Sequence, residues 1–542
     1  MAFATAHSVS LRGSQGHLID VQVDVSTGMV GTVLVGRPDA SISEARDRVR
    51  MAVNNAVPPW PASRRVTVLL APADLPKTGS HFDLAIAIAV KAASIAAGLG
   101  GDDDQGVREP PIEPEALAET VFLAELSLSG ALRPVPGVLP MVIAAAAAGM
   151  ARVYVPESQV HEAGLVPGIC VHGARSITQV VAHLRGQEIP EAAQVAPLHS
   201  SRFVAWRGQD AMESVDMAEV EGLAEARCAV EVAAAGGHHL MLSGPRGAGK
   251  TTLAERIPTI LPDLDVEQAL EVTAIHSLAG VLPEGSGLVT RPPFLAPHHD
   301  ASKASILGGG SARVRPGAVS KAHHGVLFLD EFALLRADVV DALRQPLESG
   351  EVTIARGEET VTFPARTMVV LASNPCPCGN YDASVTSPCE CAETARRRYR
   401  SKLSGPMADR VDIWRNVSAA HPASGPVPGG AATDSSVMRA RVHAARARQR
   451  ARYQDRGWLL NAAVPGPVLA AEFPLDPAGQ EFLDRHLADG TVTRRGVTRI
   501  QRVAWSVADL SGVTRPGVVE TDIAFRLRMG HALPGHFLEV AG

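Results

Sequence analysis

The stretch HHLMLSGPRGAGKTTLAERI, residues 238–257, decides the fold. Its apolar residues predict a short strand, its glycines a turn, and the residues from Lys250 onward a helix. The turn has the spacing G-x-x-x-x-G-K-T, in which backbone N–H groups and a helix N-terminus hold phosphates. We expect Lys250 to reach the β- and γ-phosphates of a nucleotide and Thr251 to hold Mg²⁺. The predicted nucleotide-binding residues are Gly244, Pro245, Arg246, Gly247, Ala248, Gly249, Lys250, Thr251 and Thr252.

Two further apolar runs end in polar residues. VLFL, residues 326–329, is followed by Asp330 and Glu331. A buried strand would deliver Asp330 to the Mg²⁺ and Glu331 to the attacking water, which indicates NTP hydrolysis and not storage. MVVLAS, residues 368–373, is followed by Asn374. We expect Asn374 to sense the γ-phosphate from a neighbouring strand, although an Asn that caps a turn before Pro375 fits the spacing as well.

The bulk composition is that of a globular protein of about three or four domains. Of its 542 residues, 46% are apolar, 20% charged and 4% aromatic, and the net charge is −6. These values exclude a disordered chain, a broad base-stacking platform and a uniformly basic coat, but not a local basic channel. No signal-peptide pattern opens the chain, so we expect a reducing, cytoplasmic location. The apolar stretch 84–100 contains Lys91 and predicts a buried helix, with no membrane contact.

The elements change character along the chain. Residues 1–194 alternate short strands with Ala-rich helices, and residues 217–418 alternate strands and helices in a way that predicts a parallel, doubly wound sheet. Residues 437–542 are mostly helical in pattern. We expect linkers at 195–216 and 419–436, the second being rich in Pro, Gly, Ser and Ala.

Four of the six cysteines follow Asn374 in the pattern C-x-C, ten residues, C-x-C. Two close pairs with a loop between them can surround a tetrahedral Zn²⁺. A redox dithiol is disfavoured because it prefers C-x-x-C beside a helix. An Fe–S cluster stays open as the alternative to structural zinc. The predicted zinc ligands are Cys376, Cys378, Cys389 and Cys391.

Together, GPRGAGKTT, FLAPHHDASKASILGGGSARVRPGAVSKAHHGVLFLDE, ALRQPLESGEVTIAR, ASNPCPCG and SGPMADRVDI resemble the Mg-chelatase-like AAA+ ATPases of the YifB/ComM family. The resemblance covers nearly the whole chain. It implies an α/β multidomain fold with three parts: a non-proteolytic S5/Lon-protease-like α+β domain at 1–194, an AAA+ P-loop core at 217–418 with helix-2 and pre-sensor-1 inserts, and a C-terminal helical lid at 437–542.

The same resemblance implies what the protein does. It predicts an ATP- and Mg²⁺-dependent ATPase that forms a homo-oligomeric ring, a hexamer by analogy, and acts on DNA as a helicase in branch migration during recombination or transformation. Two alternatives stay open. One is the ATPase subunit of a magnesium-chelatase-like metal insertase, and the other is a protein-remodelling ATPase with no nucleic-acid substrate.

Site residues carry over from the family one by one. Asn374 matches sensor 1, Arg410 the arginine that a neighbouring subunit inserts at the γ-phosphate, and Arg495 the sensor 2 arginine. Arg499, one turn further, is expected to bind the nucleotide as well. An ordinary salt bridge from Arg410 to Asp409 or Asp412 is the alternative. The chain departs from the family at two places, because Arg246 stands where Pro is usual and Trp505 where a basic residue is usual.

The first domain resembles the Lon segment that carries a catalytic serine. In PKTGSHFD, His81 falls at the serine position and Ser80 lies one place off. Because a serine nucleophile needs its base within hydrogen-bond reach, we expect no proteolysis.

Candidate DNA contacts lie in two inserts and one helix. The first insert carries His298, His299, Lys303, Arg313, Arg315 and Lys321, and the second, EVTIARGEETVTFP, predicts a hairpin with Arg356 near its tip. The His pair is a poor metal site without a third ligand. A basic helix contains Arg439, Arg441, Arg446, Arg448, Arg450, Arg452 and Arg456. It predicts either a DNA-binding face or a face turned to solvent or an acidic neighbour.

Overall fold

A computed structural model describes residues 2–37, 40–99, 109–196, 215–283, 285–310, 314–356, 359–381, 388–403, 407–417, 433–535 and 537. The chain divides into two compact units. Unit 1 comprises Met1–Phe203, Ala269–Val289 and Ala355–Thr362. Unit 2 comprises Val204–Gln268, Thr290–Ile354 and Phe363–Gly542. Two of the segments of unit 1 thus come from the middle of the sequence.

Unit 1 is built on a seven-stranded mixed sheet in the order β3-β4-β2-β1-β5-β8-β9. Its strands are β1 (Ala2–Arg12), β2 (Gln15–Ser26), β3 (Gly31–Val35), β4 (Arg65–Ala71), β5 (Thr120–Phe122), β8 (Arg152–Pro156) and β9 (Cys170–Ala174), and β6 (Glu125–Leu126) pairs with β7 (Leu132–Arg133) in a separate ribbon. β2 shows why these segments are strands, since every second residue from Ile19 to Val25 is buried.

The helices of unit 1 cover this sheet. They are α1 (Ala40–Ala56), α2 (Asp83–Ala96), α3 (Pro114–Ala118), α4 (Val138–Ala147), α5 (Val160–Ala163) and α6 (Ile177–Leu184). α2 is the apolar stretch of the sequence, and it is buried along almost its whole length. Lys91 lies inside it and is neutralised by Glu109 at 2.7 Å. No helix in the described ranges is both long and apolar enough to cross a membrane.

Unit 2 contains a five-stranded parallel sheet in the order β11-β14-β17-β10-β18. Its strands are β10 (Leu240–Ser243), β11 (Phe294–Leu295), β14 (Val326–Leu329), β17 (Met368–Ser373) and β18 (Ile413–Asn416). In the register, Ser243 pairs with Ser373, and Leu329 pairs with Leu371. The residues that follow these strands, Gly244, Asn374 and Asp330, therefore stand at one edge of the sheet. This arrangement agrees with the AAA+ class that the sequence predicts.

The remaining elements of unit 2 surround the sheet. Two ribbons are β12 (Gly308–Gly309) with β13 (Arg315–Pro316), and β15 (Glu351–Arg356) with β16 (Glu359–Pro364). The helices in this part of the chain are α7 (Ala224–Gly236), α8 (Lys250–Ile260), α9 (Val266–Ala279), α10 (Lys303–Leu307), α11 (Ala318–Lys321), α12 (Ala337–Ala342), α13 (Arg344–Ser349) and α14 (Glu393–Leu403). α9 begins in unit 2 and continues in unit 1.

The C-terminal part of unit 2 is helical. It contains α15 (Ser435–Arg452), α16 (Gly466–Glu472), α17 (Pro477–Ala488), α18 (Arg494–Ser511) and α19 (Val518–Met529). The side chain of Thr493 caps the N-terminus of α18 by accepting the Gly496 N–H, and Gly512 ends the helix at φ 73°. Ile500, Val503 and Val507 of α18 are fully buried in the same core as Leu240 and Val370.

The expected hairpin at 351–364 is present as β15 and β16. Its outer residues 355–362 belong to unit 1, where Arg12 Nε donates to the Thr360 carbonyl at 3.1 Å. Gly357, the Arg356 side chain, Arg313 and the linker residues 197–214 and 418–432 lie outside the description.

Candidate nucleotide site

The predicted phosphate loop lies between β10 and α8. Gly244 lies so close to the neighbouring strand that a Cβ there would be 2.0 Å from the Val417 carbonyl oxygen, so only glycine fits. Gly249 precedes α8 at φ 83°, in the left-handed region that favours glycine. The sequence pattern therefore has a steric cause, and the loop leads directly into the N-terminus of α8.

Lys250 joins the loop to the neighbouring strand. Its Nζ donates to the carbonyls of Gly244 at 2.7 Å and Pro245 at 2.8 Å, and to Asn374 Oδ1 at 3.1 Å. Burial lowers the pKa of Lys250, while Asp330 and Glu331 act in the opposite direction. The ammonium group is thus enclosed by oxygen atoms, two of which belong to the loop.

Thr251 and Asp330 form the second contact of the site. Thr251 Oγ1 donates to Asp330 Oδ2 at 3.0 Å, and Asp330 Oδ1 accepts the Glu331 N–H at 2.8 Å. A P-loop hydroxyl and a strand-end carboxylate are the donor set that holds Mg²⁺ in P-loop ATPases, so these residues fit the ion. When bound, Mg²⁺ would neutralise charge on the phosphates.

His299 reaches Glu331, a contact that the sequence analysis missed. His299 Nδ1 lies 3.4 Å from Glu331 Oε2, and Glu331 has a backbone φ of 49°, which is unusual for a residue other than glycine. Such backbone strain recurs at functional sites. His299 Nε2 also lies 3.6 Å from Asp300, so the pair at 298–299 does have a neighbouring carboxylate. The sequence signal was the position of the pair, three and four residues after the end of β11, a strand of the same parallel sheet.

The predicted arginines Arg410 and Arg495 lie together. Arg410 Nη2 is 2.9 Å from Glu348 Oε1, and Arg495 Nη2 donates to the same oxygen. Neither Asp409 nor Asp412, the partners considered for a salt bridge from Arg410, is in this pair. Glu348 borders the same cavity as Gly325 and Met368, which stand at the amino-terminal ends of β14 and β17.

This placement separates the arginine pair from the phosphate loop of the same chain. The loop and Asp330 follow the carboxyl ends of the strands. β10 and β14 have four residues each, and at about 3.3 Å per residue the two sheet edges are about 10 Å apart or more. Arg410 and Arg495 therefore stand at the edge opposite the nucleotide loop.

Arg499 is a packing residue in this structure. It is 7% exposed, and its Nη1 donates to Asp412, which is buried before β18. Although burial alone raises the pKa of Asp412, Arg499 and His238 hold it well below its usual range. Arg499, predicted to bind the cofactor, thus fixes the lid helix α18 to the amino-terminal edge of the sheet.

The four cysteines form one cluster. All four sulfur atoms lie within 4.8 Å of one another, and none is in a disulfide. The Sγ–Sγ distances are 3.3 Å for Cys376–Cys378, 3.7 Å for Cys376–Cys389 and 3.6 Å for Cys378–Cys389. Tetrahedral zinc with Zn–S bonds of about 2.3 Å would separate its ligands by about 3.8 Å, so the donor set fits zinc.

Two contacts connect the cysteine loop and the following helix to the nucleotide site. The side chain of Arg246 passes over Gly379 of the cysteine loop, because a Cβ on Gly379 would be 3.1 Å from Arg246 Cγ. Tyr399 of α14 is buried, and its hydroxyl lies 3.1 Å from Ser373 Oγ, at the end of the strand that precedes Asn374. The charge of Arg246 is thus placed beside the cysteine loop.

Most arginines of the basic helix α15 are used inside unit 2. Arg441 pairs with the buried Glu231 at 2.6 Å, Arg452 pairs with the buried Asp509, and Arg446 donates to the Ala234 carbonyl. The others with partners are Arg439 with Asp263, Arg448 with the Asp509 carbonyl, and Arg456 with Glu472. Of the two interpretations of this helix, a free DNA-binding face is therefore the weaker.

Other predicted contacts divide by exposure. Lys303 and Arg315 are exposed in the first insert, as a phosphate contact requires, whereas Lys321 is buried.

In unit 1, Ser80 Oγ donates to a Glu125 carboxylate oxygen, and His81 Nε2 lies 2.7 Å from the Val9 carbonyl. The hydroxyl of Ser80 thus faces a carboxylate.

Three family models match the chain in order. "Subunit ChlI of Mg-chelatase" matches residues 21–159, "Magnesium chelatase, subunit ChlI" matches 216–424, and "Magnesium chelatase, subunit ChlI C-terminal" matches 432–528. An uncharacterized protein of Mycobacterium tuberculosis H37Rv is 44% identical over 528 residues, covering 97% of this chain and 99% of the relative. The competence protein ComM of Haemophilus influenzae and the uncharacterized protein YifB of Escherichia coli are each 36% identical, with 94% of both chains covered.

The chain belongs to the YifB/ComM family of Mg-chelatase-like AAA+ ATPases. The recognition made from its motifs is confirmed, as is the fold class. For a YifB/ComM-family ATPase, ATP with Mg²⁺ is the cofactor that fits Lys250, Thr251 and Asp330. Trp505, where the resemblance leads us to expect a basic residue, is buried and donates from Nε1 to the Phe473 carbonyl at 3.0 Å.

Proposed function

We propose that this ATPase is a ring-forming motor, a hexamer by analogy with its family, that acts on DNA in branch migration during recombination or transformation.

 Its residues 1–194 form the S5/Lon-like domain, 217–418 the ATPase core and 437–542 the lid. One observation supports the ATPase activity. At one edge of a parallel sheet, hydrogen bonds join Lys250 to Asn374 and Thr251 to Asp330. Glu331 supplies the base for water at the same edge.

The ring is supported by the position of the two arginines. Arg410 and Arg495 stand with Glu348 at the sheet edge opposite the phosphate loop, so neither reaches the nucleotide of its own chain in this conformation. A guanidinium stabilises charge on the transferred phosphoryl group only if it contacts that group. We infer that both arginines serve the nucleotide of a neighbouring copy, which makes hydrolysis depend on assembly.

Action on DNA is supported by the similarity to a competence protein over almost the full length and by exposed cations in the first insert. Lys303 and Arg315 are exposed beside the glycine-rich segment. Cations of this kind bind phosphates without sequence preference, and they would suit a motor that moves along any DNA. The alternatives are a metal insertase subunit and a remodeller of protein partners, and no described contact favours either one.

The same proposal gives the cysteine cluster a structural Zn²⁺, held by Cys376, Cys378, Cys389 and Cys391 as thiolates. Zinc has no redox chemistry and would act by fixing the loop. The loop lies against Arg246 of the phosphate turn, so a fixed loop supports the nucleotide site from outside.

The test is ATP turnover by assembled rings with and without forked or four-way DNA, at low salt because phosphate contacts weaken as salt rises. We expect branched DNA to stimulate turnover. Lys250→Ala should abolish ATP binding and turnover, whereas Glu331→Gln should keep binding and lose turnover. If no DNA stimulates ATP turnover, the proposed action on DNA is refuted, whereas the proposed ATPase activity stands. If both variants keep full turnover, the proposed nucleotide site is refuted.

A further inference from the structure

Unit 2 contains a cavity of 330 Å³ at the amino-terminal edge of its sheet. His239, Gly325 and Met368, which stand at the starts of β10, β14 and β17, form its floor, and Glu348 and the segment 457–463 form part of its wall. Cavities of about 300–1,000 Å³ are the size that holds small ligands. The phosphate loop lies at the other edge of the sheet, so this cavity is separate from the candidate ATP site.

Two arginines of α15 line the cavity without a carboxylate partner. Arg446 donates Nε and Nη2 to the Ala234 carbonyl, and in the described ranges no carboxylate pairs with it. Burial lowers the pKa of Arg446 to about 10, and the charge of Arg450 adds to this effect. Arg450 has no hydrogen bond or ion pair to any residue that the structure describes. Two like charges thus border one cavity.

A third donor in the wall lacks an acceptor. The indole N–H of Trp458 is buried and has no hydrogen-bond partner among the described residues. Buried donors of this kind are rare because their desolvation is not compensated. The ring of Trp458 lies in the same wall as Leu459 and Pro346, and the Arg456 guanidinium lies 5.9 Å from its centroid.

The carboxylates of the wall are already neutralised. Asp263 pairs with Arg291 at 3.4 Å and with Arg439 at 2.5 Å. Glu348 pairs with Arg410 and Arg495. Both carboxylates already have arginine partners, so neither neutralises Arg446 or Arg450. The cavity wall therefore has an excess of positive charge and of hydrogen-bond donors.

We propose that this cavity binds a small organic anion with a planar ring, a nucleoside monophosphate being the simplest example. Arg446 and Arg450 would hold its phosphate by charge-assisted hydrogen bonds, and Trp458 would pack against or donate to its ring. Glu348 is both a wall residue and the partner of Arg410 and Arg495, so an occupant is expected to change ATP turnover. This second effect rests on the proposed function, whereas binding does not.

The experiment uses the full chain carrying Lys250→Ala, which removes phosphate binding at the P-loop. Binding of AMP, adenosine and inorganic phosphate is measured by calorimetry and by the shift in melting temperature. We expect AMP to bind more tightly than either fragment. Arg450→Gln should weaken AMP at least tenfold, because it removes an exposed charge without disturbing the fold, and Trp458→Phe should weaken it less.

Arg448→Gln is the matched control, since Arg448 lies on the same helix outside the cavity and should leave AMP binding unchanged. Binding of AMP that is equal in the Arg450→Gln and Arg448→Gln proteins would overturn the proposal, as would no binding of any probe. If inorganic phosphate binds as tightly as AMP, the planar ring of the ligand is not required for binding, and that part of the proposal is overturned. Normal ATP turnover in the unmodified chain, together with no AMP binding to the Lys250→Ala chain, would refute this cavity and leave the proposed function standing.

Discussion

His299 Nδ1 lies 3.4 Å from Glu331 Oε2, so the glutamate expected to activate water is held by a residue from a different segment of the chain. The side chains are 28% and 39% exposed, and solvent reduces the strength of such a contact to about 1 kcal/mol or less. The contact is therefore weak enough to exchange when a nucleotide and water enter the site.

His299→Ala is expected to raise basal ATP turnover by about 2- to 5-fold, the rate equivalent of a contact worth up to about 1 kcal/mol. Glu331 would then be free to turn toward the attacking water. Steady-state turnover without DNA measures the effect, and His298→Ala is the matched control because His298 is exposed and has Asp300 as its carboxylate neighbour. Turnover that falls in His299→Ala would show that the histidine assists hydrolysis.

Arg410→Ala and Arg495→Ala are each expected to keep ATP binding and to lose turnover, by about 10³-fold or more for Arg410. Mixing Arg410→Ala subunits with Lys250→Ala subunits should restore part of the turnover, because an intact phosphate loop then meets an intact arginine across an interface. Arg336→Ala, at an exposed pair with Asp338, is the control and should be active. Mixtures that remain inactive would contradict action between subunits.

Protein purified without chelator is expected to contain one zinc per chain. Cys378→Ser should lose the metal and lower the melting temperature by several degrees, because the binding free energy of a structural metal contributes to folding. Metal analysis and thermal denaturation measure both effects. Cys170→Ser is the control, since Cys170 is an exposed cysteine of unit 1 outside the cluster. Iron in place of zinc would favour the alternative Fe–S cluster.

Arg452→Ala is expected to reduce the free energy of unfolding by about 3–5 kcal/mol, since it leaves the carboxylate of Asp509 buried without its charge partner. Asp509 has a side-chain exposure of 0%. Denaturant unfolding gives the change, and Arg397→Ala, at an exposed pair, should leave stability almost unchanged. If instead Arg452→Ala is stable and weakens DNA binding, the helix α15 is a DNA-binding face after all.

His239 predicts a pH dependence of stability. Burial lowers its pKa to about 4, with Asp412 acting in the opposite direction. Because the folded pKa is below the usual value of about 6.5, the unfolded chain binds the proton first, so the contribution is complete above pH 6.5 and is lost as the pH falls toward 4. His239→Asn can still accept the Val369 N–H and should show a smaller loss of melting temperature between pH 6.5 and 4.5. Identical pH profiles for the two proteins would contradict this assignment.

Local patterns were enough to predict that the residues of the candidate nucleotide site lie together. Glycine spacing and strand ends give the phosphate loop, and the rule that parallel strands share a carboxyl edge brings Asp330 and Asn374 to it. The AAA+ fold class followed from the same elements. These features could be predicted because each depends on residues close together in sequence or on a general property of parallel sheets.

Pairings between distant residues could not be predicted. Glu231 and Arg441 are 210 positions apart, and nothing in the alanine- and arginine-rich sequence of α15 indicates that a buried carboxylate faces it. For the same reason, Glu348 did not stand out as the partner of both Arg410 and Arg495. Lys321 was placed among candidate DNA contacts, and its burial depends on packing that charge patterns do not show.

The hydrogen bond between Tyr399 and Ser373 gives the proposed ring an order of events. A shift of α14 along its axis would break or strain this hydrogen bond at the end of β17, which Asn374 follows directly. Arg410 comes eleven positions after Tyr399 in the chain. We therefore expect a change at Asn374 on phosphate release to be felt at Arg410 of the same subunit. Hydrolysis is then expected to pass from one subunit to the next in sequence, and not to occur at random around the ring.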